Sequence, residues 1–421
     1  MTDADALEAM VPRIERVEED IAGLGAIGAL AGGGMARLAW TDEEFAAKAF
    51  LEARLRALGL RPLRDAASNV WADMGPSGGP VLMIGSHLDT VPRGGRYDGA
   101  LGVLGGLEVL RLLAEAGHPL RRRVRLCAFT DEEGARFGTG LFGSTAVAGD
   151  LDMDHLSSVR DAAGRGLDEA MAGRGLRLEA LADAGATLEG VGAYLELHIE
   201  QGPRLERIGR DVGLVTAITG IRQVQYTFQG EANHAGTTAL TDRRDALLPA
   251  AETVVEVRRA AERTGGRAVA TVGYLRPLPG AANVVPGEAT MSVEVRSPES
   301  DVSADVHAAI ARAAEAHART HGAEILREVR HHVAPAAMDE TWRARLRRQV
   351  EAIGEAAVDL VSWAGHDAGA LATRIPVAML FVPSRGGLSH TPVEYTAPER
   401  YRAGLTAFAR TVAAWAWGLD A

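Results

Sequence analysis

The sequence predicts an α/β fold with a mostly parallel sheet, interrupted by an inserted, ferredoxin-like α+β domain. Three observations carry this. Through the first 130 residues, short apolar runs alternate with helical periodicities, as in a parallel sheet covered on both faces. Near residue 212 this gives way to a β-α-β-β-α order over about 115 residues, as for paired strands backed by two helices. Past His332-Val333-Ala334-Pro335 the first texture resumes and runs to the C-terminus, so one domain sits inside the other. The expected boundaries are 1–215 and 333–421 for the outer domain and 216–332 for the insert. A chain of 421 residues is too long for one simple core, which agrees with two domains.

The elements follow in order. Residues 1–40 read as helical up to a break at Gly32-Gly33-Gly34. Thr41, with Glu44 three residues on, is a capping box opening a helix that runs to Leu58 and stops at Gly59. Residues 70–74 and 81–84 are apolar runs of strand length. A helix over 101–116 and a strand over 124–129 come next. Residues 150–190 are rich in Ala, Gly, Arg and Asp, with weak helical periodicity and no evident chemistry. In the insert, 224–228, 268–272 and 290–295 have β character, while 244–262 and 304–321 are helical. A last apolar run spans 377–382.

Composition excludes some partners. Lys plus Arg is 45 against 56 for Asp plus Glu, a net charge of -11, which disfavours nucleic acid and anionic membranes. The single cysteine, Cys127, has no intrachain partner for a disulfide. The start, MTDADALEAM, lacks the basic-then-apolar pattern of a signal peptide. No uncharged apolar run reaches the roughly 18 residues of a membrane span. A cytoplasmic protein is the expectation.

The chemistry concentrates just after the apolar runs. Residues 81–99 read VLMIGSHLDTVPRGGRYDG, a buried strand followed by His87, Asp89, Arg96 and Asp98. The carboxyl end of a core strand is where α/β enzymes collect ligands. His87 and Asp98 are candidate metal ligands, with Asp89 holding the His87 imidazole from behind. Gly94-Gly95 is expected to turn the chain tightly so that Asp98 returns to His87. After the strand 124–129 comes Thr130-Asp131-Glu132-Glu133-Gly134. Three adjacent carboxylates repel one another unless a cation sits among them. Neighbours on extended backbone point in opposite directions, so one glutamate can reach a metal while the other sits over a bound water. The residues alone leave open which does which. His198 lies in ELHIEQG, and His390 in SHTP beyond the run 377–382. His87, Asp98, one of the two glutamates, His198 and His390 suit zinc, manganese, cobalt or nickel. Five ligands exceed the need of one catalytic zinc; two metals roughly 3.5–4 Å apart that share a carboxylate would use all five.

These motifs carry a resemblance. GSHLDTVPRGGRYDG, DEEGARF, ELHIEQGP, HAGTT followed by RRDA, AGHDA and VPSRGGLSHTPVE run in order from about residue 85 to 394. The chain resembles the M20 metallopeptidase-like amidohydrolases, within them the N-carbamoyl-L-amino acid hydrolase, allantoate amidohydrolase and β-ureidopropionase group. The resemblance implies two divalent metal ions per subunit, Zn2+ or Mn2+, with Co2+ or Ni2+ as further options. Asp98 would bridge them; His87 and His198 would complete one site, Glu133 and His390 the other. Asp89 would orient His87, and Glu132 would be the general base. The insert would be a lid that also builds a homodimer interface, its His234 reaching the partner subunit's site to stabilise an oxyanion. Asn283 and Arg296 would hold the substrate carboxylate, for which the planar fork of arginine is suited, and Gln201 would contact substrate. The implied reaction is hydrolysis of the ureido C–N bond of an N-carbamoyl-L-amino acid to the L-amino acid, CO2 and ammonia. Allantoate or another ureido acid is the nearest alternative; a peptidase, an aminoacylase or a metal-free scaffold stands further off. Ala239-Leu240, Glu294 and Trp363 depart from the usual pattern, and none is a ligand.

Overall fold

The computed structural model describes residues 3–419. The chain divides into two compact units, one ending at Thr216 and resuming at Met338, the other Ala217–Ala337.

The first unit is built on four parallel strands, in the order Arg123–Phe129, Val81–His87, Val191–Ile199, Val377–Val382. Antiparallel strands flank them: Val70–Met74 on one side and Gly213–Ile218 on the other. Val81–His87 and Val377–Val382 are buried along their whole length. That explains their unbroken apolar runs, since a parallel strand packed on both faces has no solvent side to alternate with. The sheet is covered by helices that include Ala100–Ala116 and Pro398–Trp417, whose Leu104, Leu107, Leu405 and Phe408 join the apolar core. The helix Asp42–Ala57 starts as its capping box requires: the Thr41 hydroxyl accepts the Glu44 N–H at 3.3 Å. The Glu44 carboxylate reaches back one residue further than the motif predicts, to the Trp40 N–H at 2.7 Å. Residues 150–190 form two short helices, Met153–Ser158 and Leu167–Ala172, and a series of 3₁₀ turns.

The second unit is a four-stranded antiparallel sheet, ordered Glu324–Val333, Gly220–Gln229, Glu288–Ser297, Val269–Leu278. Helices Leu247–Glu262 and Ser300–Thr320 pack against it around Tyr226, Phe228, Met291, Val293 and Ile310. The strand Glu288–Ser297 alternates between buried and half-buried positions, as a strand with one covered face must. The order is β-α-β-β-α-β; the fourth long strand, Glu324–Val333, is absent from the sequence reading. Its text, EILREVRHHV, shows no clean alternation, because it is an edge strand and almost all of it is exposed.

Among the described residues, no helix is long and apolar enough to cross a membrane.

Candidate active site and metal centre

The functional side chains of the first unit gather at the carboxyl edge of the parallel strands. His87 is the last residue of its strand, and His198 the last but one of Val191–Ile199. Glu132 and Glu133 lie in the turn after Arg123–Phe129, and His390 in the loop after Val377–Val382. Parallel strands end together on one edge, so segments more than a hundred residues apart in sequence meet there.

Asp98 stands at the centre. Its Oδ1 is 3.2 Å from His198 Nε2 and 3.5 Å from His87 Nε2. Its Oδ2 is 3.4 Å from His390 Nε2, and that nitrogen is 3.2 Å from Glu133 Oε2. The two oxygens thus face two separate donor groups, His87–Asp98–His198 and Asp98–Glu133–His390, each compact enough for one ion. Glu132 lies beside the first, its Oε2 3.6 Å from His87 Nε2, with a side chain only one-tenth exposed.

The helix Ala100–Ala116 begins immediately after Asp98, and Gly99 makes the junction possible. Its φ is +61°, and a Cβ there would lie 2.4 Å from His87 Nε2, inside the ring's contact distance. Gly94 and Gly95 work differently from the sequence expectation. Neither has a positive φ; the left-handed residue of that turn is Arg93, at +60°. Gly95 is required for space, since a Cβ would lie 2.1 Å from the Glu394 carboxyl.

Electrostatics test whether the donors suit cations. Asp89, Asp98, Glu132, Glu133 and Glu394 bring five carboxyl groups into a largely buried region. Burial raises Glu132 well above the usual carboxylate range, partly offset by His87 and reinforced by Glu133. Burial and Asp98 push Glu133 up to about 7. Burial opposes the charge on Asp98 too, yet hydrogen bonds with His198, His390 and His87 hold it well below the ordinary range. The Asp98 contact raises His390 to about 8. Burial and mutual repulsion thus make this carboxylate cluster costly to charge unless positive charge sits among its members. His, Asp and Glu donors on both sides of one carboxylate fit two divalent ions of the borderline class.

Surrounding groups orient these donors. His87 Nδ1 lies 3.2 Å from the Asp89 carbonyl and 3.6 Å from Asp89 Oδ1. His198 Nδ1 faces the Ile199 carbonyl at 2.9 Å, which turns Nε2 toward Asp98. Asp89 does more than the sequence reading gives it: its two oxygens accept the N–H groups of Glu132 at 3.2 Å and Glu133 at 3.1 Å. Below His198, Glu196 is fully buried and accepts from Ser86 Oγ at 2.7 Å and Ala368 N at 3.1 Å. His366, undecided from sequence, packs edge-on against the His198 ring at 4.6 Å and bonds Ser362 Oγ at 2.9 Å. Burial and Glu196 push the buried Asp367 up to about 8.

Several contributors escaped the sequence reading. Arg37 is fully buried; its side chain meets Leu88 O at 2.8 Å, and its charge lies near Asp89 and Glu394. Lys48, also buried, pairs with Glu44 and donates to Thr130 at the head of the acidic turn. Nothing in the local sequence marks Arg37, and the i,i+4 spacing of Glu44 and Lys48 reads as an ordinary helix pair, because the contacts that matter lie across the fold. Glu394 closes the motif VPSRGGLSHTPVE, which was the available signal for it.

Gln201 belongs to this cluster: its Nε2 donates to Asp98 Oδ2 at 2.7 Å, and its φ is +56°. In the second unit, His234 and Asn283 are neighbours, both exposed, with the Ala235 N–H on the Asn283 carbonyl at 3.0 Å. His234 Nδ1 accepts the N–H groups of Gly236 and Thr237 at 3.0 and 3.1 Å, so Nε2 carries the proton. Arg296 lies on Glu288–Ser297 and pairs with Glu294 at 2.7 Å.

Fold and site together define a hydrolase of the α/β class with a carboxylate- and histidine-rich centre. The model for peptidase family M20/M25/M40 matches residues 83–414, and the chain belongs to that family. It is an amidohydrolase, acting on amide bonds. It is 38% identical over 403 residues to the N-carbamoyl-L-amino acid amidohydrolase of Geobacillus stearothermophilus, covering 94% of this chain and 97% of the relative. It is 34% identical to the allantoate amidohydrolase of Bacillus subtilis, covering 90% and 92%. The solved structure of a hydantoinase/carbamoylase family amidase from Burkholderia multivorans superposes with a TM-score of 0.86 at 33% identity, covering 97% and 99%.

Proposed function

We propose that this chain hydrolyses the ureido C–N bond of N-carbamoyl-L-amino acids. The observation that carries it is the two-sided Asp98, whose oxygens face two separate donor groups with Glu132 alongside. Similarity to the Geobacillus carbamoylase over nearly both whole chains supports the substrate class.

His87, Asp98 and His198 would hold one divalent ion and Asp98, Glu133 and His390 the other. When bound, such ions acidify water and polarise a carbonyl; Zn2+ or Mn2+ are the proposed species, with Co2+ or Ni2+ as alternatives. Glu132 takes the proton of the attacking water, since its carboxylate lies beside the first donor group without belonging to either. Water's oxygen bonds to the ureido carbon. Glu132 then gives the proton to the leaving nitrogen as the C–N bond breaks, and the carbamoyl fragment ends as CO2 and ammonia. Asp89 keeps the Glu132 backbone and the His87 ring in place. His234, with its Nε2–H free to donate, would stabilise the oxyanion, in a site of the partner subunit of a homodimer formed through the inserted unit. Asn283 and Arg296 would take the substrate carboxylate, which requires Arg296 to exchange Glu294 for it. Gln201 would contact substrate from beside Asp98. A cytoplasmic location belongs to the same proposal.

Allantoate is the second reading, favoured by the similarity to the Bacillus allantoate amidohydrolase. The test is ammonia release from N-carbamoyl-L- and D-amino acids, N-carbamoyl-β-alanine and allantoate, with liberation of the free amino acid followed for N-acetyl amino acids. Turnover of N-carbamoyl-L-amino acids above the rest is expected. Cleavage of allantoate alone would move the assignment to the second reading, and cleavage of N-acetyl compounds alone would remove the ureido assignment.

A further inference from the structure

Asp98 Oδ2 is more crowded than Oδ1. Besides facing His390, it receives Ser389 Oγ at 2.5 Å and Gln201 Nε2 at 2.7 Å. Ser389 Oγ also lies 2.8 Å from Glu394 Oε2. The other Glu394 oxygen, Oε1, accepts the backbone N–H groups of Tyr97 at 2.8 Å and of Asp98 itself at 3.1 Å. Glu394 is 5% exposed, and Gly95 leaves the space it fills. Two motifs almost three hundred residues apart are thus clasped by one carboxylate.

A serine hydroxyl has one proton, so Ser389 donates to Asp98 or to Glu394, not to both. While the proton is on Asp98 Oδ2, it occupies one lone pair of the oxygen facing Glu133 and His390. A cation bound there competes for that electron density. Glu394 gives the hydroxyl somewhere else to turn, without moving any heavy atom.

We propose that Glu394 is a positioning residue: Oε1 holds the backbone of Asp98 while Oε2 accepts the Ser389 proton, freeing one lone pair of Asp98 Oδ2, beside the Gln201 contact, for the ion shared with Glu133 and His390. This rests on the dimetal reading above. It concerns one of the two donor groups, because Oδ1, which faces His87 and His198, has no part in the Ser389 contact.

The test is a calorimetric titration of Mn2+ into the metal-free full-length protein, with wild type, Glu394→Gln, Ser389→Ala and the double variant. In Glu394→Gln the two backbone N–H groups hold the amide oxygen, which aims the NH2 group at Ser389 and fixes the hydroxyl proton on Asp98. The expected result is about a 10–100-fold loss of affinity at one of the two sites, the other changing less than about threefold. In the Ser389→Ala background, Glu394→Gln should cost less than about threefold, because the hydroxyl to be redirected is gone. Wild-type affinity at both sites in Glu394→Gln would overturn the inference. So would a loss that persists in the Ser389→Ala background. Equal weakening of both sites, with a lower melting temperature of the metal-free protein, would leave Glu394 a merely structural role and overturn it too. If wild type itself bound fewer than two ions, the dimetal reading would fail, and this inference with it.

Discussion

The Asp89 carboxylate accepts the backbone N–H of Glu132 at 3.2 Å. The carbonyl of the same residue lies 3.2 Å from His87 Nδ1, so Asp89 holds the candidate base through its side chain and a candidate metal ligand through its backbone. Asp89→Asn would keep the size of the group but turn an NH2 toward one of the two N–H groups it now accepts. The acidic turn would have to shift to relieve that contact. A displacement of about 1 Å at a base costs roughly 10²-fold in rate. We expect kcat to fall by about that factor with KM nearly unchanged, measured by steady-state ammonia release. Unchanged kcat would show that the clamp on the turn is dispensable.

Glu132→Gln separates the base from the ligands. Glu132 is not among the groups facing Asp98, so the variant should keep its metal content, measured by elemental analysis. General-base catalysis is worth roughly 10²–10⁴-fold, and kcat should drop within that range. Retained turnover would reassign the proton transfer, with Glu133 the next candidate.

The buried Lys48–Glu44 pair supports the same turn from behind, since Lys48 Nζ donates to Thr130 Oγ1 at 2.9 Å and Ser68 Oγ at 3.2 Å. Both side chains are about 1% exposed. Lys48→Met leaves the Glu44 carboxylate buried without its cation, which costs about 3–5 kcal/mol. Chemical denaturation should register that loss, and adding Glu44→Gln should recover part of it. A Lys48→Met protein as stable as wild type would mean that the pair is solvated in solution.

The legible parts of the fold were those where burial writes a simple pattern. Residues 81–84 and 377–382 announce themselves because a strand covered on both faces needs apolar residues throughout. Glu324–Val333 was invisible because an edge strand exposed on both sides obeys no such rule. The ligand candidates were legible because His87, Asp98, Glu133 and His390 follow apolar runs, where core packing offers no reason for them; His198, inside its own strand, stood out only in company with these four. Choosing between Glu132 and Glu133 needed the family resemblance, since adjacent residues in a turn are equivalent until the turn's shape is known. Arg37, Lys48 and Glu394 reach partners 50 to 300 residues away in sequence; the local Glu44–Lys48 spacing and the motif ending at Glu394 mark two of them, but neither says what they touch across the fold.

Removal of metal should abolish activity without unfolding the chain. The parallel strands are held by apolar packing along their length, and the donors sit only at their ends. Dialysis against a chelator should therefore leave far-UV circular dichroism unchanged. A bound ion at about 100 times its dissociation constant stabilises by about 2.7 kcal/mol, so the melting temperature should fall on removal and recover with Mn2+ or Zn2+. Loss of secondary structure on chelation would instead make the ions part of the folding core.

His307 gives the inserted unit a dependence on pH. It lies on Ser300–Thr320, is 6% exposed, and faces a groove of about 420 Å³ that also holds Arg222, Arg327 and Tyr226. Burial, with the nearby charges of Arg222 and His332, lowers its pKa from 6.5 to about 4. The unfolded chain therefore takes up the proton first as pH falls. Stability from the neutral imidazole is complete above about 6.5 and is lost progressively between there and about 4. A shift of this size corresponds to about 1–3 kcal/mol once partial solvation is allowed for. Hydrogen exchange of amides in Glu288–Ser297, followed from pH 7 to pH 4.5 and corrected for the intrinsic exchange rate, should report that loss of protection. His307→Leu removes the titrating group and should flatten the profile over this interval. If the variant loses protection in parallel with wild type, another group controls the acid sensitivity of this unit.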